Sequence, residues 1–300
     1  MQLERILVAT DFSDAATKAF EQSAALAAGG EATIHVLHHL ASPVPVFPPV
    51  AHLGAGSWAE LGPLLDDYTS ELRTEATRKL EELVSRAPAG VTVETSIEET
   101  LDPVEAIAQK VEAWHPDLLA VGTQGRHGIE KLVMGSVATK LLHRADTAMM
   151  LVRSDSELYF GEQPLGPILV PVDFSDHSHR ALAFARALAS RHRGSLRLLH
   201  SVDLLHTPLT PGGLTSRFDT EPGLRDDYVT ALNDMLGDSP GEVAAVDGSP
   251  AGAILAWREK WGARLVVMGS RGLAGLPHLL LGSVAETVAR YCEVPVIIIK

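Results

Sequence analysis

The chain has 300 residues, of which 46% are hydrophobic and 21% are charged, and its formal net charge is −13. This composition is typical of a globular protein large enough for two domains, and the acidic balance argues against non-specific binding of nucleic acid. The single cysteine excludes an internal disulfide and favours a reducing compartment. No apolar run approaches the ~18 residues of a membrane-spanning helix. We therefore expect a soluble, cytoplasmic protein with neither a nucleic-acid nor a membrane partner.

Short apolar runs alternate with helical patterns along the first half of the chain. Strands are predicted over 6–9, 34–37, 91–95, 118–121 and 148–152. Helices are predicted from the Ser13 N-cap to Ala28 and over 67–86, 103–114 and 137–144. The second half repeats this order and ends in the apolar run 294–299. Because strands joined by crossover helices run parallel, each half is predicted to be a doubly wound α/β domain with strand order 3-2-1-4-5.

The two halves are copies of one domain. The segment Ile6–Asp14 matches Ile168–Asp176 at an offset of 162 positions, and His38 and His200 keep that offset. The residues between the copies are polar and end in Pro-Leu-Gly-Pro, which is typical of a linker. The sequence thus predicts a first domain, a linker and a second domain over 1–152, 153–166 and 167–300.

A spaced glycine motif occurs once in each half. The first copy is Gly-Thr-Gln-Gly at 122–125, then nine residues and Gly135-Ser136; the second is Gly-Ser-Arg-Gly at 269–272, then nine residues and Gly282-Ser283. Each copy follows an apolar strand and precedes a helix, a context in which main-chain N–H groups bind anions. Asp11 and Asp173 end the first strand of each half. In the predicted strand order they lie beside the glycine loop, where open parallel sheets bind ligands.

The glycine motifs, together with Asp11 and Asp173, resemble those of the universal stress protein family in its tandem, two-domain form. The resemblance covers almost the whole chain, and it implies that the two domains pair through their last strands as a pseudo-dimer. The first repeat departs from the pattern there, because Thr147-Ala148-Met149-Met150 replaces the Val-Pro-Val of the second. In nucleotide-binding members the motif holds ATP, often with a divalent cation, and so the resemblance implies ATP and Mg²⁺ as ligands.

Carried over residue by residue, the resemblance implies two nucleotide sites. The aspartates would lie at the adenine and ribose end, and the later glycines and serines near the phosphates. In the first repeat the implied nucleotide-binding residues are Asp11, Val121, Gly122, Thr123, Gly125, Arg126, Gly135 and Ser136. In the second repeat they are Asp173, Met268, Gly269, Ser270, Gly272, Gly282 and Ser283.

Three functions compete for this sequence. We expect an adenine-nucleotide-binding stress-response protein that acts by nucleotide-dependent binding or signalling. Its protein partner is not identified by the sequence, and the pseudo-dimer could associate further as a homodimer. A slow ATPase using the same pockets is the alternative enzyme, although His127 is the one base candidate next to a glycine loop. The third is a nucleotide-free interaction scaffold, in which the glycines form tight turns and the aspartates only initiate helices. No catalytic residue and no protein metal site is predicted, because the histidine groups lack a third ligand at recognisable spacing.

Overall fold

A computed structural model describes residues 3–28, 30–41, 55–123, 134–156, 165–202, 209–210, 213–214, 216–272 and 281–300, with backbone alone for 55–64, 209–210 and 213–214. The strands of the first repeat are β1 (Arg5–Thr10), β2 (Thr33–Ala41), β3 (Thr92–Thr100), β4 (Leu118–Gly122) and β5 (Ala148–Val152). Its helices are α1 (Asp14–Ala27), α2 (Ala55–Val84), α3 (Pro103–Trp114) and α4 (Ser136–Arg144).

The second repeat has the same order of main elements and three short additions, one helix and two strands. Its main strands are β6 (Pro167–Pro171), β7 (Ser195–Val202), β10 (Gly241–Asp247), β11 (Leu265–Gly269) and β12 (Val296–Ile299). Its helices are α5 (Asp176–Arg191), α6 (Arg217–Thr220), α7 (Leu224–Leu236), α8 (Pro250–Lys260) and α9 (Ser283–Tyr291). The added strands β8 (Leu209–Thr210) and β9 (Gly213–Leu214) form a separate antiparallel pair.

The ten main strands form one sheet in the order β10-β7-β6-β11-β12-β5-β4-β1-β2-β3. Each half of this order is 3-2-1-4-5 in its own numbering, with parallel pairing throughout. The predicted doubly wound architecture is therefore confirmed in both repeats.

Several elements are longer than predicted, and the largest differences are in α2, β2 and β3. The prediction started the second helix at residue 67, whereas α2 begins at Ala55, before Gly62-Pro63, a pair that normally interrupts a helix. The prediction ended the third strand at residue 95, whereas the ladder between β2 and β3 continues to the pair Ala41 and Thr100. The extension is polar, and an edge strand tolerates polar residues because they discourage edge-to-edge association.

The two repeats join through their last strands. Strands β5 and β12 pair antiparallel, and Met150 lies opposite Ile297, 147 positions later, which is the offset of the glycine motifs. The pairs on either side, Met149 with Ile298 and Leu151 with Val296, keep the arrangement symmetric. The expected intramolecular pseudo-dimer is confirmed, and the methionine-rich strand of the first repeat does not break its symmetry.

The core consists of two apolar layers, one on each face of the continuous sheet. Phe20, Leu80, Phe184 and Leu232 belong to the layer under α1, α2, α5 and α7. The layer under α3, α4, α8 and α9 contains residues such as Ile107, Leu141, Ile254 and Val288. Both layers run across the seam between the repeats, and full burial of each large side chain contributes about 1.5–3 kcal/mol. None of the described helices is long and apolar enough to cross a membrane.

Candidate functional site

One crevice per repeat lies at the carboxyl ends of the central strands. In the first repeat β1 and β4 are neighbours, and Ala9 pairs with Val121, so that Asp11 and Gly122 follow at adjacent strand ends. In the second repeat β6 and β11 are neighbours in the same way, and Asp173 and Gly269 lie at their ends. The fold thus brings the predicted acid and the predicted glycine loop to the same edge of the sheet.

Each aspartate forms the turn between the first strand and the first helix. Asp11 Oδ1 accepts a hydrogen bond from the Ser13 N–H at 3.0 Å, and Asp173 Oδ1 accepts one from the Ser175 N–H at 3.1 Å. The predicted N-cap at Ser13 is confirmed, since its hydroxyl oxygen accepts from the Ala16 N–H. A carboxylate offers about four lone-pair sites, so that helix initiation and ligand binding are compatible roles for Asp11 and Asp173.

The residue after each aspartate has an unusual backbone conformation. Phe12 and Phe174 have φ angles of 62° and 64°, in the left-handed region that bulky side chains rarely adopt. Such strain costs on the order of 1–3 kcal/mol and persists only where surrounding contacts enforce it. Its occurrence at the same position of both repeats indicates that this turn has a required geometry.

A histidine on the second strand contacts the same turn. His38 Nδ1 lies 2.8 Å from the Thr10 carbonyl oxygen, and His200 Nδ1 lies 2.7 Å from the Val172 carbonyl oxygen. Because a carbonyl can only accept, both histidines carry a proton on Nδ1. Burial is the main cause that lowers the pKa of His200. From the sequence, His38 and His200 were noted as repeated residues, and His38 was also considered and rejected as one of a group of metal ligands. Their shared offset at strand ends was the signal of a common role.

The first glycine of each motif is required by helix packing. A Cβ atom on Gly122 would lie 2.6 Å from the Ala16 nitrogen and 2.8 Å from the Ala15 carbonyl carbon, both main-chain atoms of α1. A Cβ atom on Gly269 would lie 2.7 Å from His177 Cβ and 2.9 Å from its carbonyl carbon in α5. These glycines let the first helix of each repeat approach the end of the fourth strand.

Main-chain hydrogen bonds hold both ends of each glycine loop together. The Gly135 N–H donates to the Thr123 carbonyl at 2.6 Å, and the Gly282 N–H donates to the Ser270 carbonyl at 2.7 Å. Val121, Met268, Thr123 and Ser270 are buried, and the N–H groups of Thr123 and Ser270 donate to the carbonyls of Val152 and Ile299. The predicted contacts Gly125 and Arg126 lie outside the described residues.

The last helix of each repeat begins at the loop without a side-chain cap. Gly135 and Gly282 are the N-caps of α4 and α9, and the structure shows no side-chain hydrogen bond to either helix N-terminus among the described residues. Ser136 and Ser283 are the first helical residues, and both are exposed. First-turn N–H groups and the helix dipole favour an anion at such an end.

The second crevice brings its acid and its loop into direct contact. A Cβ atom on Gly272 would lie 2.5 Å from Asp173 Oδ2, so that only glycine allows the carboxylate this position. His177, which the sequence did not link to the glycine loop, is the second residue of α5 and contacts the loop, with Nδ1 3.4 Å from Ser270 Oγ and 2.9 Å from Arg180 Nη2. The first repeat has Ala15 at the position of His177.

The surroundings of His177 favour its neutral form. Burial and the neighbouring guanidinium groups of Arg180 and Arg271 lower its pKa, in that order, against a smaller opposing effect of Asp173. Arg180 can only donate a hydrogen bond, and so Nδ1 is the acceptor and the proton of neutral His177 lies on Nε2. His177 therefore presents a hydrogen-bond donor, not a base, at its free nitrogen.

A surface cavity of ≈ 940 Å³ lies far from these residues. It is lined by Arg186, Gly194, Ser195 and Ser239 among others, at the amino ends of β6 and β7. Ligands of open parallel sheets bind at the carboxyl ends of the strands. The two crevices, which are defined by strand order and loop geometry, are therefore better candidates for the ligand site than this cavity.

Fold and site define a tandem, doubly wound α/β protein with a glycine-loop crevice in each repeat. The model of the Universal stress protein family matches residues 2–153 and 165–300, and the chain belongs to that family.

Individual relatives agree with this assignment. Universal stress protein Rv2005c of Mycobacterium tuberculosis is 30% identical over 185 residues, which are 61% of this chain and 62% of that protein. A universal stress protein of Mycolicibacterium smegmatis is 29% identical over 216 residues, 70% of each chain. The crystal structure of a universal stress protein from Archaeoglobus fulgidus superposes with a TM-score of 0.67 at 22% identity, covering 100% of this chain and 99% of that one, which supports the fold alone.

Proposed function

We propose that the protein binds an adenine nucleotide in each crevice and acts in stress responses by nucleotide-dependent binding or signalling. The observation that carries this proposal is the same three-part site in both repeats. A half-buried aspartate ends the first strand, an anchored glycine loop ends the fourth strand, and an uncapped helix N-terminus follows the loop. An acceptor at one end and main-chain donors at the other suit a base or ribose and a chain of phosphates.

The donors of the phosphate end support an anionic ligand. The N-termini of α4 and α9, with Ser136 and Ser283 as their first residues, follow the glycine loops and lie at the same end of the sheet as the loops. Each favourable charge interaction with a helix end contributes about 0.3–1 kcal/mol. In addition, Arg271 Nε is buried and has no hydrogen-bond partner among the described residues. A buried donor without a partner is costly unless a ligand satisfies it.

Mg²⁺ would enter such a site with the phosphates. Among the described residues no three histidine, cysteine or carboxylate side chains come together as a metal cluster. The ion would be held by phosphate oxygens and water, with the Ser136 or Ser283 hydroxyl as the protein ligand, in keeping with its preference for oxygen. Its contribution would be neutralisation of phosphate charge.

Slow ATP hydrolysis is the second candidate activity. His177 is the described histidine nearest a glycine loop, and its Nδ1 already accepts from Arg180, which argues against its service as a general base. Positioning of the nucleotide alone can still accelerate attack by water. Phosphate release at saturating Mg-ATP, compared with buffer, would separate a binding protein from an enzyme.

Calorimetric titration with Mg-ATP tests the binding proposal. The Gly272→Val substitution would displace the Asp173 carboxylate, and Gly125→Val changes the matching position of the first motif. We expect two sites in the parent protein, one in each single variant and none in the double variant. Asp238→Ala, at the opposite end of the second repeat, is the control and should keep two sites. Absence of binding in the parent would refute the proposal and favour a nucleotide-free scaffold.

A further inference from the structure

We infer that His38 and His200 are the residues that position the strand-one aspartates, Asp11 and Asp173, for recognition of the nucleoside end of the ligand. This inference rests on the proposed function and assigns a role to two side chains outside the glycine motifs. Neither histidine is needed for the loop or for the helix N-termini, and so their effect is separable from phosphate binding.

The hydrogen bond of each histidine falls on the residue directly before the aspartate. Nδ1–H of His38 donates to the Thr10 carbonyl at 2.8 Å, and Nδ1–H of His200 donates to the Val172 carbonyl at 2.7 Å. The carbonyl belongs to the peptide unit whose N–H is that of the aspartate. Fixing the plane of this peptide fixes the direction in which the aspartate leaves the strand, because a peptide unit is rigid.

The same ring also supports the strained residue after the aspartate. The ring centroids of Phe12 and His38 are 4.3 Å apart, and those of Phe174 and His200 are 5.0 Å apart. The left-handed φ of each phenylalanine needs such support, since it is unfavourable in isolation. One imidazole thus holds the main chain on both sides of the acid, by a hydrogen bond before it and a ring contact after it.

The arrangement occurs twice with different surroundings. In the second repeat Tyr228 also packs on His200, with ring centroids 4.4 Å apart. In the first repeat Lys79 approaches Phe12, with Nζ 5.8 Å from the ring centroid. The bond to the carbonyl and the phenylalanine contact are common to both repeats, whereas the outer neighbours are not. Because the environments differ and both shared contacts are to the residues flanking the aspartate, the histidine is best explained as a support of this turn.

The test compares loss of the donor with its conservative replacement. His38→Leu and His200→Leu remove the donor but keep an apolar side chain of similar size. His38→Asn and His200→Asn place an amide N–H close to the position of Nδ1–H. We expect each leucine variant to weaken Mg-ATP binding in its own crevice by about two- to tenfold, the equivalent of one net hydrogen bond, and each asparagine variant to recover most of that loss. His143→Leu, an exposed histidine on α4, is the control.

Binding of inorganic tripolyphosphate distinguishes positioning from general damage. This probe has no nucleoside, and so a leucine variant should bind it as the parent does. Equal weakening for ATP and tripolyphosphate would mean that the crevice has collapsed and would overturn the inference. Unchanged ATP affinity in both leucine variants would also overturn it, while the proposed nucleotide function would stand. A parent protein that binds tripolyphosphate but does not prefer ATP would refute the nucleoside role and the nucleotide proposal together.

Discussion

Replacement of Gly122 or Gly269 by alanine should destabilise the protein even without ligand. In Gly269→Ala the new Cβ would lie 2.7 Å from His177 Cβ and 2.9 Å from its carbonyl carbon. Carbon atoms prefer separations of about 3.5–4.0 Å, so that the start of α5 would have to move by roughly 1 Å. The contacted atoms belong to the helix backbone and to a Cβ, and no rotation of a flexible side chain relieves the clash.

The expected cost follows from known cases of overpacking. Extra carbon atoms in a packed core cost about 1–3 kcal/mol, and the less flexible unfolded chain of an alanine variant offsets up to about 1 kcal/mol of this. We therefore expect the free energy of unfolding to fall by about 1–2 kcal/mol for Gly269→Ala, and similarly for Gly122→Ala. With ~2–4 °C per kcal/mol for domains of 150–250 residues, the melting temperature should fall by roughly 2–8 °C.

Gly282→Ala is the matched control, because it changes a glycine of the same motif. Its Cβ would meet its nearest neighbour, the Ser270 carbonyl oxygen, at 3.4 Å, which is an ordinary contact. Loss of a glycine N-cap costs a few tenths of a kcal/mol to about 1 kcal/mol. Urea denaturation of the three variants without nucleotide measures the difference. If Gly122→Ala and Gly269→Ala are as stable as Gly282→Ala, the packing explanation of the first glycine is wrong.

Four further outcomes are expected. Ser13→Ala and Ser175→Ala should each lower the free energy of unfolding by about 1 kcal/mol in urea titrations, because each hydroxyl caps a helix; unchanged stability would contradict the capping role. Ile297→Ala, at the centre of the seam and fully buried, should cost about 2–5 kcal/mol, whereas Leu101→Ala, 73% exposed, should stay within about 0.5 kcal/mol. Burial lowers the pKa of His35 and His200 in the folded protein. Just below the ordinary histidine pKa of about 6.5 the unfolded chain therefore binds more protons than the folded protein, and the free energy of unfolding should fall as the pH decreases through that range. Urea midpoints at pH 7.5 and 5.5 check this, and His200→Asn should show a smaller decrease. The thiol of Cys292 is buried and its pKa is raised by burial, and it should therefore react with a thiol reagent such as dithionitrobenzoate only after unfolding; rapid reaction of the native protein would refute its burial.

The sequence predicted the architecture because its signals are local and occur twice. Apolar runs, N-caps such as Ser13 and the shared offsets sufficed for two doubly wound sheets and for their strand order. The lengths of elements were predicted less well where pairing with a distant strand overrides the local sequence preference. Polar β3 continues to Thr100 because its partner β2 offers a ladder, and α2 begins before Gly62-Pro63. No local pattern encodes either effect.

Some residues of the site were likewise predicted from the sequence, whereas the roles of others became clear only from the structure. The aspartates and glycines were found from spacing, yet spacing could not assign Gly122 and Gly269 to helix packing, which depends on how closely α1 and α5 approach the strand ends. His177 was missed because its neighbours Ser270 and Arg271 are more than 90 positions away in sequence. His38 and His200 were visible as a repeat, but their bond to the strand-one carbonyl requires knowledge of the ladder between the first and second strands.

An ion pair between the edge strand and the helix that precedes it occurs in each repeat. Arg73 on α2 pairs with Glu99 at the end of β3, and Arg225 on α7 lies 3.8 Å from Asp247 at the end of β10. The two arginines are 152 positions apart and the two acids 148 apart, so that neither distance equals the 147-residue offset of the glycine motifs and the two pairs are formed at positions that do not correspond. Surface pairs of this kind contribute at most about 1 kcal/mol, too little to account for the fold by themselves. Each pair joins the helix after the second strand to the edge strand of its repeat, so that different residues make the same kind of contact between the same two elements.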